Sequence, residues 1–238
     1  MEHNGMTSNF TVEQAQIVTP DENSESSKRL FFFWFIFLLL FSSLEVINQL
    51  LAISRWGDQA FFVIGFFPHI PIIILYFLWK YILSFSIIGL TIKITRNIAL
   101  FVLTSSIFYS AFFFLSLRAA EVIRITGFSS LANRSAYIVN AIKEFEKING
   151  KPPNSLTDLV PKYLPEVPKT GMGAYPDYKY QISKKPDEWS GNPWVLYVET
   201  PLVWINWDMF LYLPKQNYPQ IGYDGYLEKV NDWAYVHE

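Results

Sequence analysis

Between Leu30 and Leu117 the chain is almost continuously apolar, and this one feature limits its folds to those a bilayer can solvate. The first run, LFFFWFIFLLLFSSLEVINQLLAI, covers residues 30–53. At 1.5 Å per residue it spans a hydrocarbon core of ~30 Å with some tilt. A second apolar stretch, 60–92, is broken by Pro68, His69 and Pro71. Proline disfavours helical geometry at the residue before it, so the crossing is placed at 70–92, with 60–79 as the alternative. Residues 60–70 are then a kink or an interfacial segment. KITRN, 93–97, reads as a basic turn, and the third span is 98–117.

Charge sets the expected orientation. Lys28, Arg29, Lys93 and Arg96 fall on one side of the spans and Arg55 on the other. The positive-inside rule places the first group in the cytoplasm, and three spans then carry the C-terminal region outside. Arg118 and Arg124 flank the third span on the outer side and run against that rule. Residues 1–27 are polar and acidic without apolar periodicity, which predicts a disordered cytoplasmic tail that ends at the basic pair, by residue 29. The expected location is a bacterial inner membrane, with the bilayer itself as first partner.

After residue 118 the composition changes. Residues 119–128 read as a link, followed by an amphipathic helix with Leu131, Ile138, Ile142 and Phe145 on one face. Gly150 marks its stop, because glycine takes the left-handed cap without a Cβ penalty. Ser155-Leu-Thr-Asp158 has capping-box spacing. YKYQI (178–182), WVLYVET (194–200), MFLYL (209–213) and WAYVH (233–237) read as strands. In the second of these, Trp194, Leu196 and Val198 point one way and Val195, Tyr197 and Glu199 the other. The fold class is thus three membrane helices (30–118) followed by an α+β domain (119–238), one helix over a small antiparallel sheet.

The helix ending in Asn-Gly, the proline pair and SLTDLVPKYLPEVPKTG, followed by an aromatic strand, resemble the globular part of type II secretion major pseudopilins and type IV pilin-like proteins. The resemblance covers 129–183. It implies a pilin-like domain outside the inner membrane, carried here on three spans in place of a single N-terminal one. Major pseudopilins also hold calcium in a C-terminal loop. The acidic residues in that region are Asp224, Glu228 and Asp232, which match no recognisable loop motif and read as a solvated hairpin.

Few residues suggest chemistry. Glu45 and Lys80 lie inside the first and second spans at comparable distances from their outer ends. Charges in hydrocarbon are costly unless paired, so the two are expected to form an interhelical clasp, or in a functional version a proton or ion relay. His3, His69 and His237 are scattered without ligand spacing. Cysteine is absent, which excludes thiolate metal sites and cysteine nucleophiles. No phosphate-binding loop, serine elbow or zinc motif is present, so neither an enzyme nor a cofactor is expected. A net charge of −2 without a basic patch argues against nucleic acid. PLVWINWDMF, 201–210, offers Trp204 and Trp207 as an interaction surface or as core. The functional expectation is a non-enzymatic subunit or accessory factor of an envelope or secretion complex, bound to another membrane or periplasmic protein. The alternative is a membrane-anchored immunity protein against a periplasmic toxin.

Overall fold

The computed structural model describes residues 22–88, 92–202 and 206–237. Three α-helices lead the chain: α1 (Glu22–Ile53), α2 (His69–Ile88) and α3 (Ile92–Asn149), with a 3₁₀ segment, Gln59–Phe66, between the first two. All three are long and apolar enough to cross a membrane. The chain divides into two compact units, Met1–Phe37 and Leu38–Glu238.

Within the first unit, α1 already begins at Glu22, inside the stretch expected to be disordered. Glu25 and Arg29 there form an i,i+4 pair at 3.5 Å. Residues 1–21 of the expected tail lie outside the described residues.

In the second unit α2 starts at His69, close to the expected boundary. Pro71 falls in its first turn, where a missing N–H leaves no helical bond unmade. KITRN is not a turn; it forms the start of α3. The larger departure is at 119–128. The expected link is helical, so the third span and the amphipathic helix are one rod of 58 residues, roughly 87 Å long. Nothing in RAAEVIRITG stops a helix. It has no proline, and its one glycine costs only ~1 kcal/mol relative to alanine. Gly127 has a packing role instead, since a Cβ there would lie 2.7 Å from Ile53 Cγ2 of α1.

Beyond the spans, α3 buries the face read from its periodicity: Leu131, Ile138 and Ile142 are fully buried. It stops at Gly150, whose φ is +72°. The buried face covers a six-stranded antiparallel sheet built from β1 (Lys179–Ile182), β2 (Trp194–Glu199), β3 (Met209–Tyr212), β4 (Ile221–Gly222), β5 (Gly225–Val230) and β6 (Trp233–His237). The order is β1-β2-β3-β6-β5-β4, so the sheet is not a simple meander. The sequence reading predicts a solvated hairpin in this region but neither β4 nor β5 as a strand of the sheet. The β4–β5 turn places Tyr223 and Asp224 at φ 56° and 68°, as a two-residue hairpin loop demands.

The alternation in β2 is as expected. Trp194, Leu196 and Val198 join the helix-side core. Val195 joins Leu211, Leu213, Ala234 and Val236 in a second core on the other face. The sheet curls, and that second face is closed over by Trp189, Tyr197 and Tyr223, with the Trp189 and Tyr223 rings 5.1 Å apart.

Candidate functional site

Arg124 sits on α3 seven residues past the end of the apolar run, and its side chain is 4 % exposed. A buried guanidinium needs partners for its five N–H groups. Each one is met. Nε donates to the Tyr235 hydroxyl at 2.9 Å. Nη1 donates, more weakly, to Gln49 Oε1 and the Tyr175 hydroxyl, both at 3.4 Å. Nη2 donates to the Thr200 carbonyl and, at 3.3 Å, to Asp208 Oδ2. The Asp208 side chain is 2 % exposed, so the pair is a buried ion pair. Tyr235 in turn donates its hydroxyl proton to Asp208, and Tyr175 donates to the Pro201 carbonyl at 3.0 Å. The guanidinium lies 4.9 Å from the ring centroids of both Phe128 and Tyr235.

The partners of Arg124 come from four parts of the chain: Gln49 from α1, Tyr175 from the loop before β1, Tyr235 from β6, and Thr200 and Asp208 from the base of the β2–β3 hairpin. Thr200 N donates to the Asp208 carbonyl at 2.8 Å and closes that hairpin. The cluster therefore ties α1, α3 and the sheet at one point. With every donor engaged inside the protein, it has no free N–H for an incoming anion. It is a clasp.

A second tie is made of backbone. Gly173 N donates to the Ser54 carbonyl at 2.8 Å, and Gln59 Nε2 donates to the Ala174 carbonyl at 3.1 Å. Two glycines make this approach possible. A Cβ on Gly173 would lie 2.2 Å from the Gly57 carbonyl oxygen, and one on Gly57 would lie 2.2 Å from that of Leu51.

Beside the clasp lies an open cavity of about 320 Å³, lined among others by Glu45, Leu117, Glu121, Glu228 and His237. Glu45 is half-buried at its wall. Lys80 is elsewhere, exposed on α2. The structure does not bring the two together, and contact register explains why. Gln49 meets Arg124 and Ile53 meets Gly127, so α1 and α3 run parallel and Glu45 is level with Ala120. The His69 ring packs on Phe113, and Trp79 Nε1 donates to Ser106 Oγ at 3.3 Å, so Lys80 is level with Ser105. The two charges are about fifteen residues apart along α3, roughly 22 Å. Counting depth from Ile53 and Ile70 treated those ends as level. The 3₁₀ segment between them descends before α2 begins, and a sequence count does not register that descent.

The acidic residues of the C-terminal hairpin are also apart. Asp224 precedes β5 and Asp232 follows it, at opposite ends of a six-residue strand, while Glu228 faces the cavity from its middle. Among the described residues no three His, Asp or Glu side chains gather as a metal-ligand group. Trp207 is 77 % exposed, whereas Trp194 and Trp233 are fully buried. Trp204 lies outside the described residues. Arg124 and Asp208 were not read as a site from sequence. The available signal was a second arginine on the apolar flank of a span, where the one nearby acid, Glu121, pairs with Arg118.

Burial holds the hydroxyls of Tyr175, Tyr178, Tyr180, Tyr218 and Tyr235 above the ordinary tyrosine range. Their folded pKa values exceed the unfolded value near 10, so the stability they contribute is complete below pH ~10 and falls as pH rises through the folded values. In alkaline titration part of the tyrosinate absorbance should therefore appear only with loss of the near-ultraviolet circular dichroism. Ionisation of all fourteen tyrosines near pH 10 with the fold intact would contradict the burial. No family model, curated protein or solved structure matches this chain.

Proposed function

We propose that the chain is a multi-pass protein of a bacterial inner membrane. Its pilin-like α+β domain lies on the extracytoplasmic side and acts by binding another envelope protein, without catalysis. The observation that carries this reading is the Arg124 clasp on an unbroken α3. The helix leaves the apolar belt at Leu117 and continues to Asn149, roughly 48 Å further along its axis. With the clasp at its base, the rod holds the sheet rigidly at that end of the helices, an arrangement suited to a recognition module. All five guanidinium N–H groups of Arg124 are engaged inside the protein, which supports a structural tie beneath a binding domain.

The orientation rests on Lys28, Arg29, Lys93 and Arg96, which outnumber the basic residues flanking the other ends of the spans. The axial separation of Glu45 and Lys80 counts against an ion relay between them.

The test combines a topology reporter fused after residue 238 with a photo-crosslinking amino acid at Tyr137 or Ile148, both exposed on α3. The expected result is an extracytoplasmic reporter and a recurrent crosslink to one membrane or periplasmic protein. A cytoplasmic reporter would refute the orientation, and an absence of specific crosslinks from either position would count against recognition.

A further inference from the structure

The β2–β3 hairpin points back toward the membrane helices. Trp194, at the start of β2, donates its indole N–H to Glu146 at 3.1 Å, near the far end of α3. Thr200, just past the end of β2, meets Arg124. The strand thus runs antiparallel to α3, and the chain continues in that direction past the clasp. Leu202 and Asn206 line the same cavity as Leu117 and Ala120, so this end of the hairpin reaches the level at which the apolar run of α3 ends.

Trp207 is carried there. It is 77 % exposed, more than any other large apolar side chain among the described residues. It lines a second cavity, of about 470 Å³, together with Gln59. Gln59 opens the 3₁₀ segment QAFFVIGF, on which Phe61, Val63 and Phe66 are exposed. Through Gln59 the tryptophan adjoins the start of the 3₁₀ segment, and through Leu202 and Asn206 its loop adjoins the end of the α3 apolar run; Gln181, Tyr197 and Glu199 give the rest of its cavity a mixed polar and aromatic wall. An indole has an apolar body and one N–H donor, and tryptophan is enriched where a bilayer meets water.

We infer that Trp207 is a membrane anchor, with its indole seated in the headgroup region of the bilayer that the helices cross. The sheet then has three attachments to its membrane base: the Arg124 clasp, the Gly57–Gly173 contact, and the lipid itself. The occupant is phospholipid, because the loop that bears Trp207 stands at the level where the apolar run of α3 ends, and a headgroup region meets both the polar and the aromatic parts of its surroundings. The inference rests on those helices crossing a membrane, and not on which side the sheet occupies.

The chain has no cysteine, so single labelling sites can be added directly. Nitroxide labels at Trp207→Cys, Phe66→Cys and Ile148→Cys, in phosphatidylcholine nanodiscs, are compared for access to oxygen and to an aqueous nickel reagent. Oxygen partitions into lipid and nickel does not. The expected oxygen-to-nickel ratio at 207 is several-fold above that at 148 and approaches that at 66. A lipid-like ratio at 66 with a water-like one at 207 would overturn this inference and leave the membrane reading intact. A water-like ratio at 66 would overturn both. Shielding of 207 from both reagents would mean that protein covers it, and would also overturn the inference. Independently, Trp207→Phe should reduce quenching of intrinsic fluorescence by brominated lipid, by a share on the order of one tryptophan among the eight present. Unchanged quenching would count against the anchor.

Discussion

Replacing Arg124 with alanine should destabilise the junction between sheet and helices by about 3–5 kcal/mol, because it strands a buried carboxylate and removes five hydrogen-bond donors at once. Asp208 would lose its cationic partner, while the Thr200 and Tyr175 oxygens and Gln49 Oε1 would each lose a donor. Arg124→Lys should not restore the junction. An ammonium presents three donors from one point and cannot span acceptors on four elements. The informative variant is Arg124→Met with Asp208→Leu. A buried pair replaced by apolar groups of similar volume is often close to neutral, so the double change should recover much of the loss. Limited proteolysis and chemical denaturation in nanodiscs would read these effects. An unchanged digestion pattern for Arg124→Ala would mean that the clasp does not hold the two parts together.

Gly173→Ala should be nearly as damaging for a different reason. Its new Cβ would meet the Gly57 carbonyl oxygen at 2.2 Å and that of Arg55 at 2.8 Å. Both are backbone atoms and cannot rotate away. The loop at 54–57 must withdraw, and the Gly173–Ser54 hydrogen bond goes with it. Overpacking of this kind costs about 1–3 kcal/mol and a lost hydrogen bond about 1 more. Gly150→Ala is the contrasting control. Gly150, unlike Gly173, has a positive φ, 72°, but a Cβ there meets nothing within 4 Å. It should cost only the local strain of about 1–2 kcal/mol. Comparable effects at the two positions would show that the close approach contributes nothing.

Much of this architecture was legible in the chain. Three apolar runs, the helix face carrying Leu131, Ile138 and Ile142, the stop at Gly150 and four of the six strands all follow from local periodicity and turn chemistry. The parts that were missed depend on contacts between distant segments. Whether 119–128 is link or helix turns on packing, since its composition permits either and only the contact of Gly127 with Ile53 of α1 shows the helix fixed there. The β4–β5 hairpin has only two residues in its first strand, too few for a pattern. The clasp joins residues 49, 124, 175, 200, 208 and 235, which no spacing rule connects. Glu45 and Lys80 were matched by counting from helix ends that proved to lie at different levels. Trp207 was left between core and surface, because alternation cannot place a residue just before a strand.

The central claim is that, within Leu38–Glu238, α3 runs unbroken from its apolar stretch into the sheet and makes the two one body. Hydrogen exchange of the backbone amides in nanodiscs tests it most directly. Residues 118–128 should exchange as slowly as 131–145, because they belong to the same helix and are pinned by Arg124. Rapid exchange at 118–128 beside protected amides at 131–145 would mean that a flexible link separates the membrane helices from the sheet domain, and would contradict the account.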